Sequence, residues 1–199
     1  MQKTMASLPN EVVSRFHELL QRARGTDLRE PAAMTLATAD ANGRVSARIV
    51  LLRACDERGF VFYTNLNSDK VFQISANNQV ALCFHWDALA EQVRIEGLAE
   101  PVTEEEADLY WQGRPRESQI GAWASRQSET LDARETLERQ VAEFEAEFRG
   151  HDVPRPEYWS GYRVEPQRIE FWTNRPARLH ERLVYELGED GWSQRMLYP

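Results

Sequence analysis

AMTLATADANGRVSARIVLLRACDERGFVFYT, residues 33–64, is the stretch whose reading decides the fold class. Ala33 to Ala39 alternates as a half-buried strand does. Asp40-Ala41-Asn42-Gly43 is a turn signal, and Arg44 to Arg53 is the returning strand. Asp56 to Gly59 turns the chain again, into the aromatic, β-rich run Phe60 to Thr64. Successive strands joined by turns, without βαβ alternation, predict an antiparallel barrel or strongly bent sheet.

Outward from this stretch the pattern stays α+β. Upstream, Val12, Val13, Phe16, Leu19 and Leu20 form an apolar stripe at helical spacing, with Pro9 in a first-turn position and Gly25 as a stop. Downstream, Ser68 caps a short helix from about Asp69 to Ala76, ended by Asn77-Asn78. Strands follow at Val80 to Trp86 and Gln92 to Ala99. Thr103 with Glu106 makes a capping box for a helix holding Tyr110 and Trp111. Two more helices are predicted, Ser118 to Ala124 and about Leu131 to Phe148, the second terminated by Gly150. Past Pro154 and Pro156 come strands near Tyr162 to Val164, Arg168 to Trp172 and Arg178 to Glu186, then a last stretch ending at Pro199. No repeat and no domain boundary stands out, so residues 1–199 read as one domain with a helical insertion at about 103–150.

The bulk numbers exclude several classes. Of 199 residues, 42% are hydrophobic and 28% charged, ordinary for a globular chain, and the net charge of -8 opposes a general nucleic-acid or membrane-surface binder. No apolar run approaches the ~20 residues of a membrane span. MQKTMASLPNEVVSRF has no secretory pattern, and Cys55 and Cys83 form no CxxC pair, so a reduced, cytoplasmic setting is expected. The four histidines show no ligand spacing, so no metal is expected. Both GxGxxG and GxxxxGK[ST] are absent, and any nucleotide is therefore held outside a Rossmann crevice.

Against this acidic background the arginines cluster, which points to a small anionic ligand. In Arg178-Leu179-His180-Glu181-Arg182, read as a strand, Arg178, His180 and Arg182 line one face over roughly 13 Å, while Leu179 and Leu183 turn into the core. Arginine forks suit phosphate or an electron-rich ring edge; a solvated outer face is the competing reading. Arg48 to Arg53, Tyr63-Thr64 and Ser68-Asp69-Lys70 can converge beside a helix N-terminus, whose free N–H groups favour phosphate. Tyr110, Arg114, Arg116 and Ser118 at a helix–turn–helix junction could surround a second phosphate. Gln92, Gln127 and Ser128 could read a heterocycle's edge.

Taken together, RIVLLR (48–53), FVFYTN (60–65), SDK (68–70), EQVRIEG (91–97), RPRESQIGAW (114–123), SRQS (125–128), RIEFW (168–172) and RLHER (178–182) resemble the pyridoxamine 5′-phosphate oxidase family, from about Glu30 to Pro199. The resemblance implies an FMN-binding split β-barrel, antiparallel and Greek-key-like, with flanking helices, working as a homodimer with FMN at the subunit interface. It implies oxidation of pyridoxamine and pyridoxine 5′-phosphates to pyridoxal 5′-phosphate, with dioxygen as acceptor and hydrogen peroxide released. Carried over by position, the cofactor contacts fall to 48–53 (Arg48, Ile49, Val50, Leu51, Leu52, Arg53), Tyr63, Thr64, Asp69, Lys70, Gln92, Gln127, Ser128, Trp172 and Arg182. The substrate contacts fall to Arg53, Tyr110, Arg114, Ser118, Arg178, Leu179 and His180, with Arg178 and His180 covering the reacting ring. Two positions depart from the family's usual residues: Arg53 stands where Lys is common, and Asp69 where a basic or small residue is. A phenazine-type flavin oxidase on the same scaffold and a non-catalytic flavin- or haem-binding split barrel are the alternatives.

Overall fold

The computed structural model describes residues 7–199; the first six, where the reading for a secretory signal begins, lie outside the described residues. Helix α1 (Asn10–Arg24) is followed by β1 (Ala33–Ala39), β2 (Val45–Leu51), β3 (Ala54–Asp56), β4 (Gly59–Asn65), α2 (Asp69–Ala76), β5 (Gln79–Trp86) and β6 (Glu91–Pro101). Helices α3 (Glu104–Gln112), α4 (Arg116–Ala124) and α5 (Arg134–Glu147) come next, then β7 (Trp159–Thr173), β8 (Glu181–Gly188) and β9 (Gly191–Leu197). All strands join one antiparallel sheet in the order β2-β1-β5-β6-β7-β4-β3, with β8 also on β7 and β9 on β8.

Strand β7 makes this sheet split. Along one edge it pairs with β6 from Tyr162 to Thr173; along the other, its first half pairs with β4 and its second half with β8. Between the halves the register shifts at Glu96/Gly97, opposite Pro166. Gly97 is required there, because a Cβ would stand 2.2 Å from the Glu165 carbonyl oxygen. The sequence reading placed two separate strands here; Pro166 bends the strand without ending it.

Helix α1 closes the open side. Phe16 is fully buried and meets Phe60 edge-on at 4.9 Å and Phe84 at 5.1 Å between centroids. Strand β4 is buried on both faces: Phe60 and Phe62 belong to this main core, while Val61 and Tyr63 face the helical segment. That second contact is anchored by the capping box Thr103/Glu106 and by Arg163, which pairs with Asp56 at 2.7 Å and Glu106 at 2.9 Å.

One expectation is corrected. Arg178 to Glu186 is not a continuous strand: Pro176–Arg178 forms a short turn, Ala177 and Arg178 have φ of 58° and 61°, and β8 starts at Glu181. Left-handed residues cannot continue a pleat, so Arg178, His180 and Arg182 do not share a strand face. Leu179 is 68% exposed instead of turning into the core. The Arg175–Glu181 ion pair at 2.9 Å bridges this turn.

Candidate active site

A cleft of about 1040 Å³ opens between β2, the end of β4, the start of α2 and the helical segment. Its two ends are cationic for different structural reasons.

At the first end, Lys70 is buried at the start of α2. Its ammonium donates to Thr64 Oγ1 at 3.0 Å, Ser68 Oγ at 2.8 Å and Gln127 Oε1 at 3.1 Å. All three acceptors are neutral. Burial, reinforced by the charge of Arg48, pulls the Lys70 pKa down to about 8, although Asp69 opposes the change. Arg48 donates to Thr38 Oγ1 at 2.6 Å, Gln73 Oε1 at 3.1 Å and the Leu36 carbonyl at 3.2 Å, again all neutral. Burial lowers its pKa too. Asp69 lies in the first turn of α2, where its backbone N–H donates to Ser128 Oγ at 3.2 Å. Ser128 itself sits at φ 76°.

At the second end stand Arg53, Tyr110, Arg114 and Ser118. Arg114 is partly buried, and burial, with the like charge of Arg53 adding to it, lowers its pKa. Among the described residues no carboxylate lies within ion-pair distance of Arg48, Arg53, Lys70 or Arg114, whereas Arg58, Arg94, Arg155, Arg163, Arg168 and Arg182 all have acidic partners. Four cations without an ion-pair partner lining one cleft make an anion receptor: among the described residues the Arg53 and Arg114 side chains keep their donors free, while Lys70 and Arg48 are held by neutral oxygens and feel only the through-space charge of Asp69.

The residues expected to form one site fall into two groups. Arg48, Ile49, Val50, Leu51, Arg53, Tyr63, Thr64, Asp69, Lys70, Tyr110, Arg114, Ser118, Gln127 and Ser128 line this cleft. Leu52 does not; it is buried in the main core. Gln92, Trp172 and Arg182 form a separate row, in register across β6, β7 and β8. His180 tilts against Trp172 at 4.6 Å, and its Nδ1 accepts from the Arg175 N–H at 3.2 Å. Arg178 and Leu179 lie on the turn leading into that row.

Under the row is Glu170, 1% exposed, which receives a two-point fork from Arg182 at 2.7 and 3.1 Å and a bond from Arg168 at 3.0 Å. Burial opposes its ionisation, but the bonds from Arg182 and Arg168 and the nearby charge of Arg94 outweigh it and hold the carboxyl below the usual range. Sequence reasoning missed Glu170, and likewise Thr38, Gln73 and Trp159. Their roles come from strand register and aromatic stacking, for which no spacing signal exists.

An antiparallel sheet split along its longest strand, with a cationic cleft beside it, defines the class as the split β-barrel. The comparisons agree. A structure from Nostoc punctiforme PCC 73102, described as a pyridoxamine 5′-phosphate oxidase-related, FMN binding protein, superimposes with a TM-score of 0.76 at 18% identity, covering 94% of this chain and 96% of that one. PhzG from Burkholderia lata 383, solved with tetrahydrophenazine-1-carboxylic acid, gives 0.89 at 36% identity, covering 97% and 93%. The family model "Pyridoxamine 5'-phosphate oxidase" matches residues 21–148, and "Pyridoxine 5'-phosphate oxidase C-terminal dimerisation region" matches 159–199. Proteins named pyridoxine/pyridoxamine 5′-phosphate oxidase are 55% identical in Alkalilimnicola ehrlichii (96% of this chain, 99% of that one) and 52% in Myxococcus xanthus (96% and 93%). The chain belongs to the pyridoxamine 5′-phosphate oxidase family. Among the described residues no helix is long and apolar enough to cross a membrane.

Proposed function

We propose that this chain is a cytoplasmic, homodimeric oxidase that carries FMN and converts pyridoxamine and pyridoxine 5′-phosphates to pyridoxal 5′-phosphate. The observation that carries the reading is two cationic groups without ion-pair partners lining one cleft, Arg48 with Lys70 and Arg53 with Arg114, suited to two separate phosphates. Lys70 and Arg48, with Thr64, Gln127 and Ser128, fit the FMN phosphate: the cations are preorganised by neutral oxygens, and a dianion supplies the missing counter-charge. Arg53, Tyr110, Arg114 and Ser118 take the substrate phosphate. Helices α3 and α4, inserted between β6 and β7, exist in this reading to carry that second anion site.

Two copies complete the site. Gln92, Trp172 and Arg182 lie on a row outside the cleft, so in this reading they are given to the flavin of the partner subunit, with Arg178 and His180 over the substrate ring. The match of 159–199 to a dimerisation region supports that arrangement. FMN, when bound, would supply the redox chemistry, a two-electron oxidation at the substrate's C4′ with dioxygen as final acceptor and hydrogen peroxide as its product; with the amine substrate, water then hydrolyses the imine and ammonia leaves. The protein's part is placement. The phosphate grip at Tyr110, Arg114 and Ser118 would fix one end of a planar substrate and so limit its translation along the cleft. Arg178 and His180 would cover the outer face of the substrate ring and supply donors to its hydroxyl oxygen.

Anaerobic addition of pyridoxamine 5′-phosphate to the FMN-loaded protein tests this. The visible flavin band should bleach and recover on admitting air, with one pyridoxal 5′-phosphate formed per flavin. An unbleached band with stoichiometric FMN would refute the assignment.

A further inference from the structure

Among the cations of the cleft, Arg114 is held in an unusual way. Its guanidinium carbon stands 4.8 Å above the centroid of Trp159 and 5.7 Å from that of Trp111, and among the described residues no hydrogen bond or carboxylate restrains its side chain. Trp159, at the start of β7, is only 4% exposed. The rings of Tyr63 and Tyr110 lie parallel to it, within 2° and 4°, and Tyr110 stacks on Tyr63 at 4.0 Å. Arg53 approaches the far partner of this stack, 5.8 Å from Tyr110. The ledge depends on Gly161, which faces Tyr63 across the β4–β7 ladder: a Cβ there would meet Tyr63 Cδ1 at 2.6 Å.

We propose that Trp159 is a positioning residue for the substrate's phosphate, holding Arg114 in place without neutralising it. The inference rests on the reading of this end as the substrate-phosphate site. A carboxylate partner would fix the guanidinium but would occupy its fork and cancel its charge. An aromatic face attracts the cation and leaves all five N–H donors unspent. Tyr63, laid flat by Gly161, orients the Tyr110 hydroxyl in the same way, so the phosphate meets a preformed receptor. Trp159 touches no reacting atom; its effect passes through Arg114.

The test is a double-mutant cycle in the FMN-loaded protein: Trp159→Met and Trp159→Phe, each alone and combined with Arg114→Ala. The readouts are KM and kcat for pyridoxamine 5′-phosphate and the equilibrium Kd of pyridoxal 5′-phosphate, followed by flavin absorbance without turnover. Trp159→Met should raise KM and Kd about tenfold, the loss of one partly desolvated cation–π contact, while kcat at saturation and FMN affinity hold. Trp159→Phe, which keeps a ring face, should raise them only about twofold to threefold. In the Arg114→Ala background neither substitution should add anything. Equal effects with and without Arg114 would make Trp159 a packing residue and overturn the proposal, as would wild-type KM and Kd in a folded Trp159→Met protein. If Trp159→Met fails to fold, the Trp159→Phe cycle decides by the same criterion. Failure of the wild-type protein to oxidise pyridoxamine 5′-phosphate would instead sink the functional reading beneath it.

Discussion

Replacing Lys70 by Met should weaken FMN binding and, at the same time, stabilise the FMN-free protein. The opposite signs follow from one fact: Lys70 is a buried ammonium surrounded by neutral oxygens. Keeping it charged in the empty cleft is costly. At about 1.4 kcal/mol per tenfold change in proton affinity, the drop from 10.5 to about 8 sets a ceiling of roughly 3 kcal/mol on that cost. Lost bonds to Thr64, Ser68 and Gln127 offset part of it, so about 1 kcal/mol of net stabilisation is expected, or ~2–4 °C in Tm for a chain of this size. A charge-assisted bond to the FMN phosphate is worth ~1.5–3 kcal/mol, so FMN Kd should rise roughly ten- to a hundredfold. Differential scanning fluorimetry of the FMN-free protein and quenching of FMN fluorescence measure the two effects. The same logic fixes a pH dependence. Binding a dianion favours the protonated amine, so in the wild type FMN affinity should fall by up to about tenfold per pH unit above pH about 8, where the free-cleft Lys70 loses its proton. Lys70→Met should remove that slope. If the variant lowers Tm and leaves FMN affinity intact, Lys70 is a structural cation and the assignment of this end is wrong.

Arg178→Ala should cut kcat/KM roughly ten- to a hundredfold, the worth of one charge-assisted contact, with FMN occupancy unchanged; normal turnover with flavin loss would reverse the assignment. Glu170→Gln should destabilise the fold by about 1.5–3 kcal/mol, since Arg182 loses its carboxylate partner while Arg94 and Arg168 keep Glu96; urea unfolding that stays within about 0.5 kcal/mol of wild type would disprove it. Asp69→Ala should change FMN affinity by less than about fivefold, because a helix-terminal acid contributes only ~0.3–1 kcal/mol, and a tenfold gain in affinity would show that the carboxylate crowds the phosphate.

Local chemistry made much of this fold legible. The alternation and turn residues of 33–64 place β1 at the bounds observed, and the Ser68 and Thr103 signals mark the starts of α2 and α3. These features depend on neighbours a few residues away, through pleat period, turn dihedrals and the Thr103 capping box, so they are written along the chain; Ser68 stands at the N-cap position of α2 without a capping bond, its hydroxyl donating to the Asn65 carbonyl and accepting from Lys70. The grouping of Arg48, Lys70, Tyr110 and Arg114 around one cleft was legible only through family-wide motifs, because strands far apart in sequence bring them together.

Tertiary structure alone decided the rest. Pro176 and two left-handed residues turn 176–178 out of the sheet, and the alternation of Arg178, His180 and Arg182 gave no sign of it. Which arginines carry a charge into the cleft was equally hidden. Arg182 and Arg114 look alike in sequence, yet register across β7 and β8 sets Glu170 under the first, while stacking sets Trp159 under the second. Electrostatic identity depends on what stands within about 4 Å, and in an antiparallel sheet that neighbour is chosen by long-range pairing, not by proximity along the chain.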